Sequence, residues 1–115
     1  MSLWNIAILS LLFCGETFAS VSFIEILPNT TDDTNLEYID IVNTGCDPVA
    51  LSGYILEDAS GRQHFIADET LAPHERRHFP RSETHLQLNN TDETLTLADA
   101  GGNIVDTISW EESEK

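Results

Sequence analysis

Positive charge is what this sequence has least of. Five Lys and Arg stand against twenty Asp and Glu, a formal net charge of −15. Nucleic-acid binding needs a basic footprint, which is missing, and anionic membrane surfaces repel the chain for the same reason. Cysteine is nearly absent, with Cys14 and Cys46 the only two. The apolar run Ile6–Phe13 is too short for the ~20 residues that span a bilayer. Sustained helical periodicity is missing, and so are a Gly-rich phosphate loop and a Ser-His-Asp grouping. The acids are spread along the chain rather than clustered. Solubility in a salty medium accounts for them better than cation binding or a basic partner.

What is present begins with an export signal. The run Ile6–Phe13 is followed by a more polar stretch to Ser20, with Thr17 and Ala19 small enough to precede a cut. This predicts a signal peptide over residues 1–19 and a mature domain over 20–115. No Lys or Arg precedes the apolar run, and an uncleaved buried strand or interfacial anchor is the competing reading. Cys14 raises the alternative of lipidation, although Phe13 stands where lipoprotein signals carry a small residue. Cleavage after Ala19 leaves Cys46 alone, so the mature form has no intradomain disulfide. Cys46, between Gly45 and Asp47-Pro48, reads as a turn thiol. The expected location is exported: periplasmic, cell-surface or extracellular.

The mature chain alternates short apolar strands with Gly, Pro, Asn and Asp turns. Strands are expected over Val21–Leu27, Leu36–Asn43, Val49–Leu51, Tyr54–Asp58, Arg62–Ile66 and Arg76–Phe79. Thr70 to Pro73 reads as a loop and Arg81 to Leu86 as irregular. Leu95 and Leu97 alternate with threonines, Asp99–Asn103 is a turn cluster, and Ile104, Asp106 and Ile108 alternate up to Trp110. About eight or nine short strands in one domain predict an all-β sandwich. The expected core is Ile39, Ile41, Leu56, Leu95, Leu97, Ile108 and Trp110. Gly53 lets the chain bend without a Cβ clash, and Asn43 and Asn90 bond local backbone where strands end. Asp58 closes a hairpin by accepting turn N–H bonds.

Four segments in order resemble the lamin tail domain family. They are Phe23-Ile24-Glu25-Ile26-Leu27-Pro28-Asn29, Glu37-Tyr38-Ile39-Asp40-Ile41-Val42-Asn43, Leu51-Ser52-Gly53-Tyr54-Ile55-Leu56-Glu57-Asp58, and a closing hairpin with Leu88, Asn90, Asp92, Leu95, Leu97, Gly102, Val105, Asp106, Ile108 and Trp110. Thr91 and His74 depart from the pattern, each standing where many members have glycine, and are expected to alter turn conformation only. The resemblance implies an immunoglobulin-like sandwich and a non-catalytic module that binds a protein or cell-surface partner. It assigns no catalytic, cofactor-binding or metal residue and no cofactor.

Two motifs suggest rival functions. His74-Glu75-Arg76-Arg77-His78 matches H-E-x-x-H, the signature of zinc-dependent metalloproteases. That chemistry needs a helix, where residues four apart lie about 5–6 Å from each other; on a strand the spacing is ~13 Å. Pro80 stops any helix begun at Pro73 within two turns, and no third ligand sits at a familiar offset. Asp32-Asp33 with Asn29 and Asn35 offers oxygen ligands for a calcium-dependent adhesion module, without the D-x-D-x-D-G spacing. Asn29-Thr30-Thr31 and Asn89-Asn90-Thr91 are glycosylation sequons, relevant only in a eukaryotic secretory route.

Overall fold

The computed structural model describes residues 21–28, 36–89 and 92–111. Within them the alternating pattern produces strands. In chain order these are β1 (Val21–Leu27), β2 (Tyr38–Asn43), β3 (Val49–Ala50), β4 (Ile55–Glu57), β5 (Gln63–Phe65), β6 (Thr70–Leu71), β7 (Arg76–Pro80), β8 (Glu93–Ala98) and β9 (Ile104–Trp110). A single helical turn, α1 (Arg81–Thr84), follows β7. Two stretches differ from expectation. The Thr70 loop contains the two-residue strand β6, paired with β3, and the Arg81 segment is a helical turn. Both are too short for periodicity to reveal.

The strands form antiparallel sheets that stack as an immunoglobulin-like β-sandwich. One sheet has the order β1-β2-β7, the other β5-β4-β8-β9, with β3-β6 as a small pair. Ile39 and Ile41 of β2 face Leu56, Leu95 and Leu97 of the second sheet across the core; each is at most 1% exposed. Burying one such side chain contributes about 1.5–3 kcal/mol. The inward phase continues into polar residues. Glu37 and Asn43 extend the Ile39-Ile41 alternation, Glu93 extends that of Leu95-Leu97, and all three are buried.

Asn43, Asp58, Glu37 and Glu93 are satisfied chiefly by backbone, whereas buried Asp40 is held by the side chains of Arg76 and His78. Asn43 gives its amide to the carbonyls of Asp47 and Leu71 (2.8 and 3.0 Å) and accepts from Gly45 N–H. Asp58 accepts from the N–H groups of Ser60, Arg62 and Gln87 and from the Ser60 hydroxyl. Glu37 accepts from Leu88 N–H, and Glu93 from Asn89 and Ala59 N–H. Three carboxylates thus hold three successive amides, Gln87 to Asn89, and fix the crossing into β8. Paired in this way, buried carboxylates avoid the penalty of unsatisfied burial.

Among the turns with left-handed backbone, two bear on the family pattern. Gly53 has φ 88°, and a Cβ there would lie 2.9 Å from the Ala100 Cβ, so the turn Leu51–Tyr54 packs against the β8–β9 turn only through glycine. His74 has φ 66° in the turn Ala72–Glu75, closed by Glu75 N–H to Ala72 O at 3.0 Å. The histidine therefore occupies a glycine-type conformation rather than reshaping the turn. Thr91, the other departure from the family pattern, lies outside the described residues, as does Asn90.

Two expected core residues are not core. Ile108 is 37% exposed and Trp110 is only half-buried. They share the inward phase of Leu95 and Glu93, their partners on β8, but among the described strands β9 lies at the edge of its sheet. Ile104 also leaves the expected alternation. A register shift beside Ala98 places it opposite that residue, on the outer face, where it is 68% exposed. Cys46 is disulfide-bonded rather than a thiol. The other cysteine of the chain, Cys14, lies outside the described residues.

Candidate functional site

The two open sides of the sandwich are built differently. On the β7/β5 side, Arg77 closes the gap. Its guanidinium lies 4.2 Å over the Phe79 ring and bridges Glu69 and Glu83, each with a 2.7 Å contact. These carboxylates raise the Arg77 pKa further, and the arginine holds the Glu83 carboxyl below its ordinary range. His64 packs edge-on against Phe79 at 5.9 Å, and burial lowers its pKa. This side is a structural seal.

On the β1/β9 side no such seal exists among the described residues. Phe23, Ile24, Ile26 and Pro28 of the first sheet face Ile108 and Trp110 of the second across a cleft of about 360 Å³. A bulge between Phe23 and Glu25 pushes Ile24 outward, leaving it 48% exposed. A hydrogen bond spans the two edges: Phe23 N–H donates to Asp106 Oδ2 at 2.8 Å. Trp110 is held by its indole N–H to Asn89 O at 2.8 Å. The cleft is apolar, preformed and bordered by Glu25, a combination suited to binding.

The outer face of the first sheet carries a polar row. Glu25, Asp40 and His78 lie opposite one another across β1, β2 and β7. Asp40 meets His78 Nδ1 at 2.6 Å and Arg76 at 2.9 Å; Arg76 also reaches Glu25 at 3.2 Å. Tyr38 donates to Glu25 at 2.7 Å and stacks beside His78, ring centroids 4.9 Å apart. The Tyr38 bond and Arg76 together hold the Glu25 carboxyl below its usual range, while that same bond pushes the Tyr38 hydroxyl up. Each acid here is matched by a donor.

The H-E-x-x-H residues fall on a turn and a strand. His74 sits left-handed in the turn, giving its N–H to Asn43 O at 2.7 Å. Glu75 takes Ala72 N–H on its carboxylate at 2.7 Å, and His78 is on β7, committed to Asp40. The helix that would bring both histidines to one ion is replaced by extended backbone. Among the described residues no group of three His, Cys, Asp or Glu is arranged to hold a metal. The calcium candidates Asn29, Asp32, Asp33 and Asn35 lie outside the described residues.

A second apolar patch lies on the outer face of the β5-β4-β8-β9 sheet. Phe65, Ile55, Ala98 and Ile104 form one cross-strand row there, with Phe65 61% and Ile104 68% exposed. A shallow groove of about 350 Å³ borders it, with Glu57, Gln63 and Thr96 among its walls.

The fold and these surfaces define a small immunoglobulin-like sandwich whose accessible features are apolar edges and loops. The chain belongs to the lamin tail domain family: the model of that family, Lamin Tail Domain, matches residues 16–112. The family is one of immunoglobulin-like, non-enzymatic domains of interaction type. Comparison with the curated proteins finds no match. Among the described residues no helix is long and apolar enough to cross a membrane.

Proposed function

We propose that the chain is an exported, non-catalytic interaction module that binds a protein or cell-surface partner. The observation that carries this reading is the open β1/β9 side, where Ile24 and Ile108 stand exposed beside Trp110 while the opposite side is sealed by Arg77. Exposed strand edges lined by apolar side chains are sites of partner addition. The family supports the same class of role. The polar row on the outer face adds a second accessible surface, but its charges are already satisfied among themselves.

The acidic surface disfavours nucleic acid and anionic lipid as partners. The signal-like segment at residues 1–19 supports export to the periplasm, cell surface or medium. Affinity capture from the exported fraction of the native cells tests the reading. The control is Leu97→Asp, which places a charge at a fully buried position and unfolds the domain. A partner held by the folded chain and not by the variant is the expected result. Stoichiometric zinc with chelator-sensitive peptide cleavage would overturn it.

A further inference from the structure

We propose that the β1/β9 cleft receives a short extended peptide segment whose apolar side chains alternate with lysine or arginine, added as a strand along the open edge of β1. This rests on the interaction-module reading and names the partner chemistry of that site.

The backbone defines where a strand fits. Among the described residues β1 ends its sheet and β9 ends the other, and within them both present an unpaired side toward the same gap. Asp106 already occupies the edge at Phe23 by taking its N–H. The bulge follows immediately, and the cleft opens from there to Pro28. The protected part of the edge ends where the apolar lining begins, which leaves room for a segment of about four or five residues.

The side chains define what fits. A strand presents alternate residues to opposite faces, so one set enters the cleft and the other faces water. The entering set meets Phe23, Ile24, Ile26, Ile108 and Trp110, and must be apolar. The outward set meets more acids than bases, with Arg76 offsetting Glu25 in part. Glu25 lines the cleft and Asp106 faces β1 from β9. Asp92 and Glu111 are joined by a backbone bond beside Trp110. The described arginines lie elsewhere: Arg62 in the β4–β5 turn, Arg76 and Arg77 on β7, Arg81 in α1. Only Arg76 reaches β1, and it is shared between Glu25 and Asp40. A second copy of this chain brings the same net negative charge and is repelled. A cationic alternating segment satisfies both the lining and the field.

The test uses the full chain and three labelled peptides of about seven residues: one alternating valine with lysine, one alternating valine with glutamate, and one with the lysine composition arranged in blocks. Fluorescence anisotropy reads binding. The lysine-alternating peptide should bind, weaken as salt rises, and exceed both others by about tenfold or more. Ile24→Ser with Ile108→Ser should weaken it by about tenfold, with folding checked by circular dichroism. Both side chains are already partly exposed, so the fold should tolerate their loss. Phe65→Ser with Ile104→Ser, on the other face, should leave binding unchanged. Equal binding of the glutamate peptide, indifference to the Ile24/Ile108 variant, or no binding would overturn the proposal. A dimer abolished by that variant would instead assign the cleft to self-association and also overturn it. Should the peptides fail while capture still yields a partner of the folded chain, the cleft proposal falls and the module reading stands.

Discussion

His74 shows how a single residue carries both a misleading motif and a structural cost. Its φ of 66° is disfavoured for a side chain with a Cβ by about 1–2 kcal/mol. His74→Gly should therefore stabilise the domain by about 1 kcal/mol, read as a higher midpoint in chemical denaturation. Gly53 is the converse case. Gly53→Ala should cost more than about 1 kcal/mol, because the new Cβ meets Ala100 and the backbone stays left-handed. The first substitution also removes one histidine of the H-E-x-x-H motif, so a stabilised variant would argue directly against a metal-held centre there.

Two buried carboxylates respond oppositely to pH. Burial raises the Glu37 pKa above its ordinary 4.5. Ionised Glu37 therefore destabilises the fold, and that effect grows as pH rises from 4.5 through the raised value. Glu37→Gln keeps an acceptor for Leu88 N–H, so it should equal the wild type in acid and exceed it at pH 7. For Asp58, burial pushes the pKa up, but the bonds from Ser60, Gln87 and Arg62 outweigh it and hold it below 3.8. Its contribution is complete above 3.8 and is lost as pH falls through the depressed value. Asp58→Asn should be less stable than wild type at pH 7, with the gap closing in strong acid. Denaturation midpoints across pH 2–8 check both signs.

At the scale of elements, alternation identified Ile39, Ile41, Leu56, Leu95 and Leu97 as core, and all five are buried. The same alternation reached Glu37, Asn43 and Glu93. Their in-phase positions were the available signal for buried polar groups that hold backbone, and Asn43 was legible as such. The glutamates were not, because in so acidic a chain another acid looks like surface. Ile108 and Trp110 share the inward phase but lie on an edge strand, and strand order depends on contacts distant in sequence. The bulges at Ile24 and near Ala98 shift phase without a glycine to mark them. For this reason the cleft, which needs both edges and one bulge, was not readable from the sequence. The absence of a helix across His74–His78 was readable, from Pro80 and from the family pattern. Within β8, Leu97→Ala should cost about 2–5 kcal/mol, the range for emptying a filled core site.

At the scale of the molecule, charge and asymmetry dominate. The net charge of −15 makes the folded chain repel itself, so added salt should raise its melting temperature until screening is complete. The disulfide at Cys46 bears on processing. Cleavage after Ala19 removes Cys14, the one other cysteine of the chain. A processed domain should then take up one iodoacetamide without reductant, whereas an oxidised, unprocessed chain takes up none; intact mass distinguishes them. The asymmetry is functional in our account: Arg77, Glu69 and Glu83 seal one side of the sandwich, while the other stays open between β1 and β9.

The most direct test of the central claim is affinity capture from the exported fraction with three folded forms side by side: wild type, Ile24→Ser with Ile108→Ser, and Phe65→Ser with Ile104→Ser. If the cleft holds the partner, it is retained by the wild type and by the outer-face variant, and lost from the cleft variant. Retention by all three, or loss only from the outer-face variant, would contradict that claim.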